Sequence, residues 1–317
     1  MAIVSLAFAC SSEPDTGEAE LLAELEAEEI VENLMVAGFP AEEIEVREDE
    51  VIVGGDAVVT LQASREMAGA RQVAPLFEDE EEAFRQYRTN NLVNSPKTIS
   101  VIGYTGGGNA LDSTMQTALQ MAVQNYNEMN LGLTFTLTTG TNYQDKDIVV
   151  YKVSGNGGGQ AGFPENGNPY KFVQIQSGTS NFGTDVVEHV ITHEIGHCVG
   201  FRHTDYFNRS ISCGSGGNEG SSGVGAQHIP GTPTGADMSS IMLACFNSGV
   251  SGEFSSYDRT ALEYLYPGSG SPDPDPGEPA PGCTGYCGGY SQSGACYCDS
   301  VCESYGDCCD DKAAVCD

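Results

Sequence analysis

The sequence predicts an α+β protein in three folded parts: a small helix-and-hairpin unit, a larger domain of strands followed by a long helix, and a small disulfide-rich module. Three observations carry this. In the middle of the chain strand-like runs come first and a long helical stretch follows at 185–200, which packs that helix under a sheet. Ahead of them, one amphipathic stretch and a pair of alternating runs stand apart behind a charged, polar segment. Behind them, eight of the twelve cysteines crowd between Cys283 and Cys316.

Taken in order, residues 1–12 (MAIVSLAFACSS) are an apolar run ending in small residues and Cys10, too short to span a bilayer. They read as the remnant of an export signal. The stretch resembles the end of a bacterial lipoprotein signal, with Cys10 as the lipidated residue; a plain secretory signal is the alternative. Residues 13–90 form the first unit. Leu21, Leu22, Leu25, Ile30, Val31, Leu34 and Met35 follow helical spacing, and Gly38 closes the helix. The runs IEVRED–EVIV and DAVVTLQ, joined through Gly54-Gly55, read as a β-hairpin. EDEEEAFRQYR and the polar TNNLVNSPKT then mark a boundary.

Residues 91–267 form the main domain. TISVIGY is a strand. In the helix that follows, Leu111, Met115, Leu119, Ala122, Tyr126 and Met129 share a face, with Asp112 or Ser113 as cap. LTFTLTT, DIVVYKV and KFVQIQS are strands, then comes the helix at 185–200. Regular structure thins out through GSGGNEGSSGVGAQ, before SSIMLAC and a last helix, SSYDRTALEYLY. Residues 268–282 are a stiff proline-glycine linker, and 283–317 are the cysteine-rich module.

Forty-five acidic residues against 13 basic ones give a net charge of −32, which excludes nucleic acid as a partner, because phosphate backbones are held by Lys and Arg. The density of cysteine points to an oxidising compartment outside the cytoplasm. The expected location is therefore extracellular, or lipid-anchored at a bacterial outer membrane or cell surface.

The stretch HEIGHCVGFRH at 193–203 carries the chemistry. On a helix, His193 and His197 project from one face a turn apart and can take adjacent corners of a zinc tetrahedron. Glu194, rotated by about 100°, reaches a water at the metal without ligating it. An unbroken helix would carry His203 roughly 15 Å away, so the chain must turn, and Gly200 stands where the turn is needed. Three imidazoles with a fourth position open are the arrangement of one catalytic Zn2+; calcium is left open. His189 lies one turn before His193 and reads as packing or as support for a ligand. Asp205 either accepts a hydrogen bond from a ligand imidazole or ties down the turn after His203; a solvated loop acid is the alternative.

HEIGHCVGFRH resembles the metzincin metalloproteases. With HTD and IPGTPTGADMSSIM it looks most like the dual-action HEIGH metallopeptidase family, over about residues 85–267. The resemblance implies a two-lobed domain with a twisted mixed sheet over the cleft, and Met242, in SSIM, as the methionine of the turn beneath the zinc. It also implies substrate bound in extended form along a sheet edge within 160–175. The tyrosine that ligates zinc in the astacin branch has no counterpart, since Leu243, Ala244 and Cys245 follow. By the same resemblance residues 13–90 look like a propeptide. VGGD at 53–56 is similar to the stretch by which astacin propeptides place a carboxylate on the zinc, which makes Asp56 a candidate latency switch. A plain hairpin turn at Gly55-Asp56 is the alternative.

The spacing C-x3-C-x8-C-x-C-D-x2-C-x5-C-C-x6-C closely resembles a somatomedin B domain. The resemblance implies the pairs Cys283–Cys298, Cys287–Cys316, Cys296–Cys309 and Cys302–Cys308, and a protein partner. A cluster of metal-binding thiolates is the alternative. Of the remaining cysteines, Cys213 and Cys245 flank the site in irregular segments and are the preferred pair, with Cys198 a buried helix thiol. The function expected is an exported zinc endopeptidase acting on proteins or peptides, made as a zymogen, with a C-terminal protein-binding module. A non-catalytic adhesin on a protease fold is the alternative, and the intact ligand set with Glu194 speaks against it.

Overall fold

The structure, a computed structural model, describes residues 16–47, 50–73, 86–219, 227–232 and 237–268, with 290–291, 296–297 and Cys316 near the C-terminus. Cys10 and the segment 1–12 lie outside the described residues, and the four expected C-terminal disulfides fall wholly or partly outside them.

Helix α1 (Thr16–Ala37) leads into a 3-10 turn and three short strands, β1 (Ile44–Arg47), β2 (Glu50–Val53) and β3 (Ala57–Val58). Only the second half of α1 has a core beneath it. Ile30, Leu34 and Ala37 pack with Phe39, Val51, Val53, Ala57 and Met67, whereas Leu21, Leu22 and Leu25 of the same predicted stripe are exposed. The run DAVVTLQ differs from the expected strand. Its first residues form β3, but Thr60 Oγ1 accepts from the Ala63 amide (3.0 Å), a side-chain cap that starts α2 (Leu61–Val73). β-branched residues in sequence gave the strand signal, and a threonine used as a cap ended it. The hairpin itself is present twice: β1 pairs with β2, and β2 with β3 across the turn Gly54-Gly55-Asp56.

β4 (Tyr87–Arg88) follows, then β5 (Lys97–Tyr104), α3 (Ser113–Glu128) and β6 (Leu133–Gly140). Asp112 is the cap of α3, accepting from the Met115 amide at 3.0 Å. β5 and β6 pair in parallel over their full length, as a βαβ unit requires. β7 (Ile148–Val153), β8 (Gly159–Gly162) and β9 (Phe172–Gln176) complete the sheet, whose order is β1-β2-β3-β8-β9-β7-β5-β6. The fold is thus mixed α/β, with a run of parallel strands where α+β was expected. Helix α4 (Thr184–Cys198) lies against the inner face, and its apolar side chains join one core with α3 and the parallel strands.

β8, which the apolar patterns do not single out, is the strand that matters most for the site. It pairs antiparallel with β9 and, on its other side, parallel with β3, through Ala57↔Ala161 and Val58↔Gly162. The N-terminal unit therefore occupies a sheet edge of the main domain, at the start of the expected 160–175 range. Residues 86–91, expected at the boundary where the charged stretch meets the polar linker, are also held firmly. β4 lies between β10 (Phe201–Arg202) and β11 (Gln227–His228), and Gln86 Nε2 donates to Asp258 Oδ1 at 2.6 Å. Two-residue strands such as these have no period of their own to read. A one-turn helix, α5 (Ser210–Cys213), and α6 (Ser256–Leu265), started by a capping box of Ser255 and Asp258, close the domain. Among the described residues no helix is long and apolar enough to cross a membrane.

Candidate metal centre

Every residue of α4 from Val186 to Cys198 is buried, including His193, Glu194 and His197. Such burial of polar groups is tolerated only if each is paired. The helix ends on Gly200, whose φ of +105° is a left-handed conformation, and a Cβ there would lie 2.8 Å from the Asn91 carbonyl oxygen. Glycine is needed twice over, for the turn and for the close approach. The chain then runs back as β10 and delivers His203 to the same place as His193 and His197.

Each imidazole is held at its Nδ1. His193 Nδ1 donates to the Ile241 carbonyl oxygen (2.8 Å), and His197 Nδ1 to the Phe201 carbonyl oxygen (2.8 Å). His203 Nδ1 donates to Glu219 Oε1 (2.6 Å). Carbonyls and carboxylates only accept, so the proton sits on Nδ1 and all three Nε2 atoms face inward. What they face is Asp56. Its Oδ2 lies 3.5 Å from His193 Nε2 and 3.2 Å from His203 Nε2, and its Oδ1 lies 3.6 Å from His197 Nε2. The four ligand atoms fall within 4.8 Å of one another. Asp56 Oδ1, His193 Nε2 and His197 Nε2 are buried without a hydrogen-bond partner. Leaving such atoms unpaired is costly, and a cation among them would satisfy all of them together. Three nitrogens and one oxygen are a donor set suited to zinc, so the residues present fit the metal.

Electrostatics follow the same geometry. Burial first, and the neighbouring His193 next, push His197 down to about 3. Burial also works against a charge on His203, but Asp56 and Glu219 on either side of it outweigh that and hold its pKa well up. Asp56 is the mirror case. Its burial disfavours the carboxylate, yet His203, then the hydrogen bonds of His193 and His203, hold it well below the usual range. For Glu194, burial and then the Asp56 charge raise the carboxyl well above its ordinary value. Its Oε2 is buried and unpartnered, and β8 passes directly over it, since a Cβ on Gly159 would collide with the Glu194 carboxylate.

Met242 is buried beneath the helix, and a Cβ on Gly196 would come within 2.5 Å of its Sδ. The glycine in HEIGH thus lets the methionine approach. The turn carrying Met242 is fixed by Asp258, which accepts from the Ile241 amide (2.9 Å) and Ser240 Oγ (2.7 Å). That is the same Ile241 whose carbonyl orients His193. Asp205 contacts no imidazole. It accepts from Ser212 Oγ (2.6 Å) and the Ala244 amide (3.0 Å), tying the turn after His203 to the segment bearing the Cys213–Cys245 disulfide. The carboxylate on a ligand imidazole is Glu219 instead. Sequence reasoning missed it, because one glutamate in a glycine-rich stretch carries no pattern. Cys198 is buried with a free thiol. His189 stands outside the cluster, its Nδ1 donating to the Ser251 carbonyl oxygen (3.0 Å). With Val190, Glu194, Leu243 and Phe246 it lines a cavity of about 240 Å³ that opens beside Asp56.

A family model of the dual-action HEIGH metallopeptidases matches residues 51–266. The chain belongs to that family. The match begins at Val51, so this metallopeptidase carries Asp56 and the turn before it inside the family segment. Among solved structures, two of myroilysin are similar. One is 15% identical, with 56% of this chain and 82% of that one covered and a TM-score of 0.35. The other is 14% identical, with 56% and 86% covered and a TM-score of 0.37. No curated protein matches the metallopeptidase.

Proposed function

We propose that the chain is the precursor of an exported zinc endopeptidase, held latent by Asp56. The observation that carries this is the convergence of three Nδ1-anchored imidazoles on one carboxylate of the N-terminal unit, beside the unpartnered Glu194 Oε2. His193, His197 and His203 would hold the metal. Zinc bound there lowers the pKa of a coordinated water and polarises a carbonyl. Glu194 is the general base: its carboxylate takes the proton of the attacking water and passes it to the leaving amine. Substrate would lie along the edge of β8, whose backbone groups are taken by β3 in the precursor. The N-terminal unit would thus block the site at the ligands and at the sheet edge together. Export, an anchor at Cys10 and a protein-binding role for residues 283–317 are parts of the same proposal that rest on the sequence. Zinc content, with cleavage of a peptide library by protein freed of its N-terminal unit, tests the activity. Chelation by phenanthroline is expected to abolish cleavage; cleavage that survives it rejects the metal mechanism.

The latch has a clamp on the main-domain side. Arg209 Nη1 donates to the Gly54 carbonyl oxygen (2.9 Å) and its Nη2 to the Glu43 carboxylate. Gly54 lies so close to Glu219 that an added Cβ would sit 2.9 Å from Oε1. Arg209→Ala is expected to loosen the N-terminal unit and raise its rate of cleavage by a trace protease by at least about tenfold, since two charge-assisted hydrogen bonds are lost. An unchanged rate in limited proteolysis removes Arg209 from the latch.

A further inference from the structure

We propose that Glu219 is a positioning residue for the metal centre: it sets the ring of His203 and strengthens it as a ligand. The inference rests on the reading of His193, His197 and His203 as the metal ligands. The three differ in how their rings are fixed. His193 and His197 belong to α4, and their Nδ1 atoms donate to main-chain carbonyls whose positions the fold sets. His203 comes after the turn at Gly200, beyond the end of the helix, and the partner of its Nδ1 is a side chain. A side chain can orient a ligand only if it is itself held.

Glu219 is held from several sides. It is 3% exposed. Its amide donates to the Tyr206 carbonyl oxygen (2.7 Å), which fixes its backbone. Its Oε2 accepts from Arg202 Nη2 (3.2 Å), which also donates to the Glu219 carbonyl oxygen (3.1 Å). Arg202 is in turn buried and faces the Phe39 ring at 4.5 Å and the Tyr206 ring at 5.3 Å. The sequence Arg202–Glu219–His203 is therefore a fixed chain ending at the inward-facing Nε2. A carboxylate on Nδ1–H pins the tautomer and makes the imidazole a stronger donor than a carbonyl does. Glu219 would be the one anionic contribution to an otherwise neutral set of ring partners.

The rival role for Glu219 is that of mere counter-ion to buried Arg202, and metal affinity separates the two. The full chain and the variants Glu219→Ala, Glu219→Gln and His203→Ala are titrated with zinc against a competing chelator at fixed pH. Cobalt(II) absorption is recorded on the same samples, and melting is followed in excess chelator. Glu219→Ala is expected to weaken zinc binding by roughly 10–100-fold. Glu219→Gln, whose amide oxygen still accepts from Nδ1–H, should recover part of that loss while shifting the cobalt spectrum. If Glu219→Ala melts lower in chelator but binds zinc as tightly as the unaltered chain, the proposal is overturned. Should the alanine variant not fold, a glutamine variant with unchanged zinc affinity and cobalt spectrum overturns it equally. If His203→Ala also binds zinc like the unaltered chain, the three-histidine reading itself fails.

Discussion

Glu194→Gln is expected to lower peptide hydrolysis by on the order of 10²–10⁴-fold, the usual contribution of a general acid–base group, while zinc content stays the same. The two halves of that result come from different parts of the geometry. Glu194 follows His193 on α4 and lies beside the cluster of ligand atoms without joining it; among the described residues that cluster is Asp56, His193, His197 and His203. Removing its charge therefore leaves every ligand in place. Its Oε2 is buried with no partner, so the amide loses no hydrogen bond within the fold, and the substitution nearly preserves shape. What it loses is the capacity to accept a proton. Inductively coupled plasma analysis and initial rates on one peptide substrate are sufficient, measured on material freed of its N-terminal unit. Hydrolysis within a factor of about ten of the unaltered enzyme would mean that another group serves as base. Loss of zinc would mean that Glu194 supports the ligands.

The parts of this site that were legible in the sequence are those whose spacing is local. His193 and His197 share a helix face by the period of the helix, and Gly200 stands where the chain has to turn for His203 to return. The strands at 97–104, 133–140, 148–153 and 172–176 have alternating or continuous apolar patterns. What stayed hidden is set by partners distant in sequence. β8 is a glycine-rich stretch made a strand by β9 on one side and β3 on the other. β4 exists because residues 201–202 and 227–228 flank it. Thr60 begins α2 at a place where β-branched residues suggest a strand. Glu219 matters only through its contacts with His203 and Arg202. Asp56 was visible as a candidate by resemblance, but whether it reached the histidines depended on a turn whose position comes from the pairing of β3 with β8.

Asp56→Ala should turn the precursor from latent to active, with a rise in basal peptide cleavage of tenfold or more, equivalent to at least about 1.4 kcal/mol of lost occupancy. The carboxylate meets three imidazole Nε2 atoms at 3.2–3.6 Å and is the one atom group of the N-terminal unit among them. Alanine there leaves nothing to compete for the ligands. It also removes the negative charge next to Glu194, one of the two causes that raise that carboxyl. The turn itself survives the change, because Gly54 and Gly55 carry its positive φ values of 67° and 94° and Arg209 still grips the Gly54 carbonyl oxygen. The N-terminal unit keeps its own core of Ile30, Leu34, Val51, Val53 and Met67, so it should stay folded and β3 should stay on the edge of β8. The increase therefore isolates the carboxylate from the strand. Combined with Arg209→Ala, which loosens the strand, the effect should exceed that of either alone, since the carboxylate at the ligands and the strand on the edge each restrict substrate separately. Basal rates of the single and double variants, read on intact precursor checked for size, measure both terms. An Asp56→Ala precursor no more active than the unaltered one would assign latency to the strand alone, with Asp56 a turn residue that happens to face the histidines.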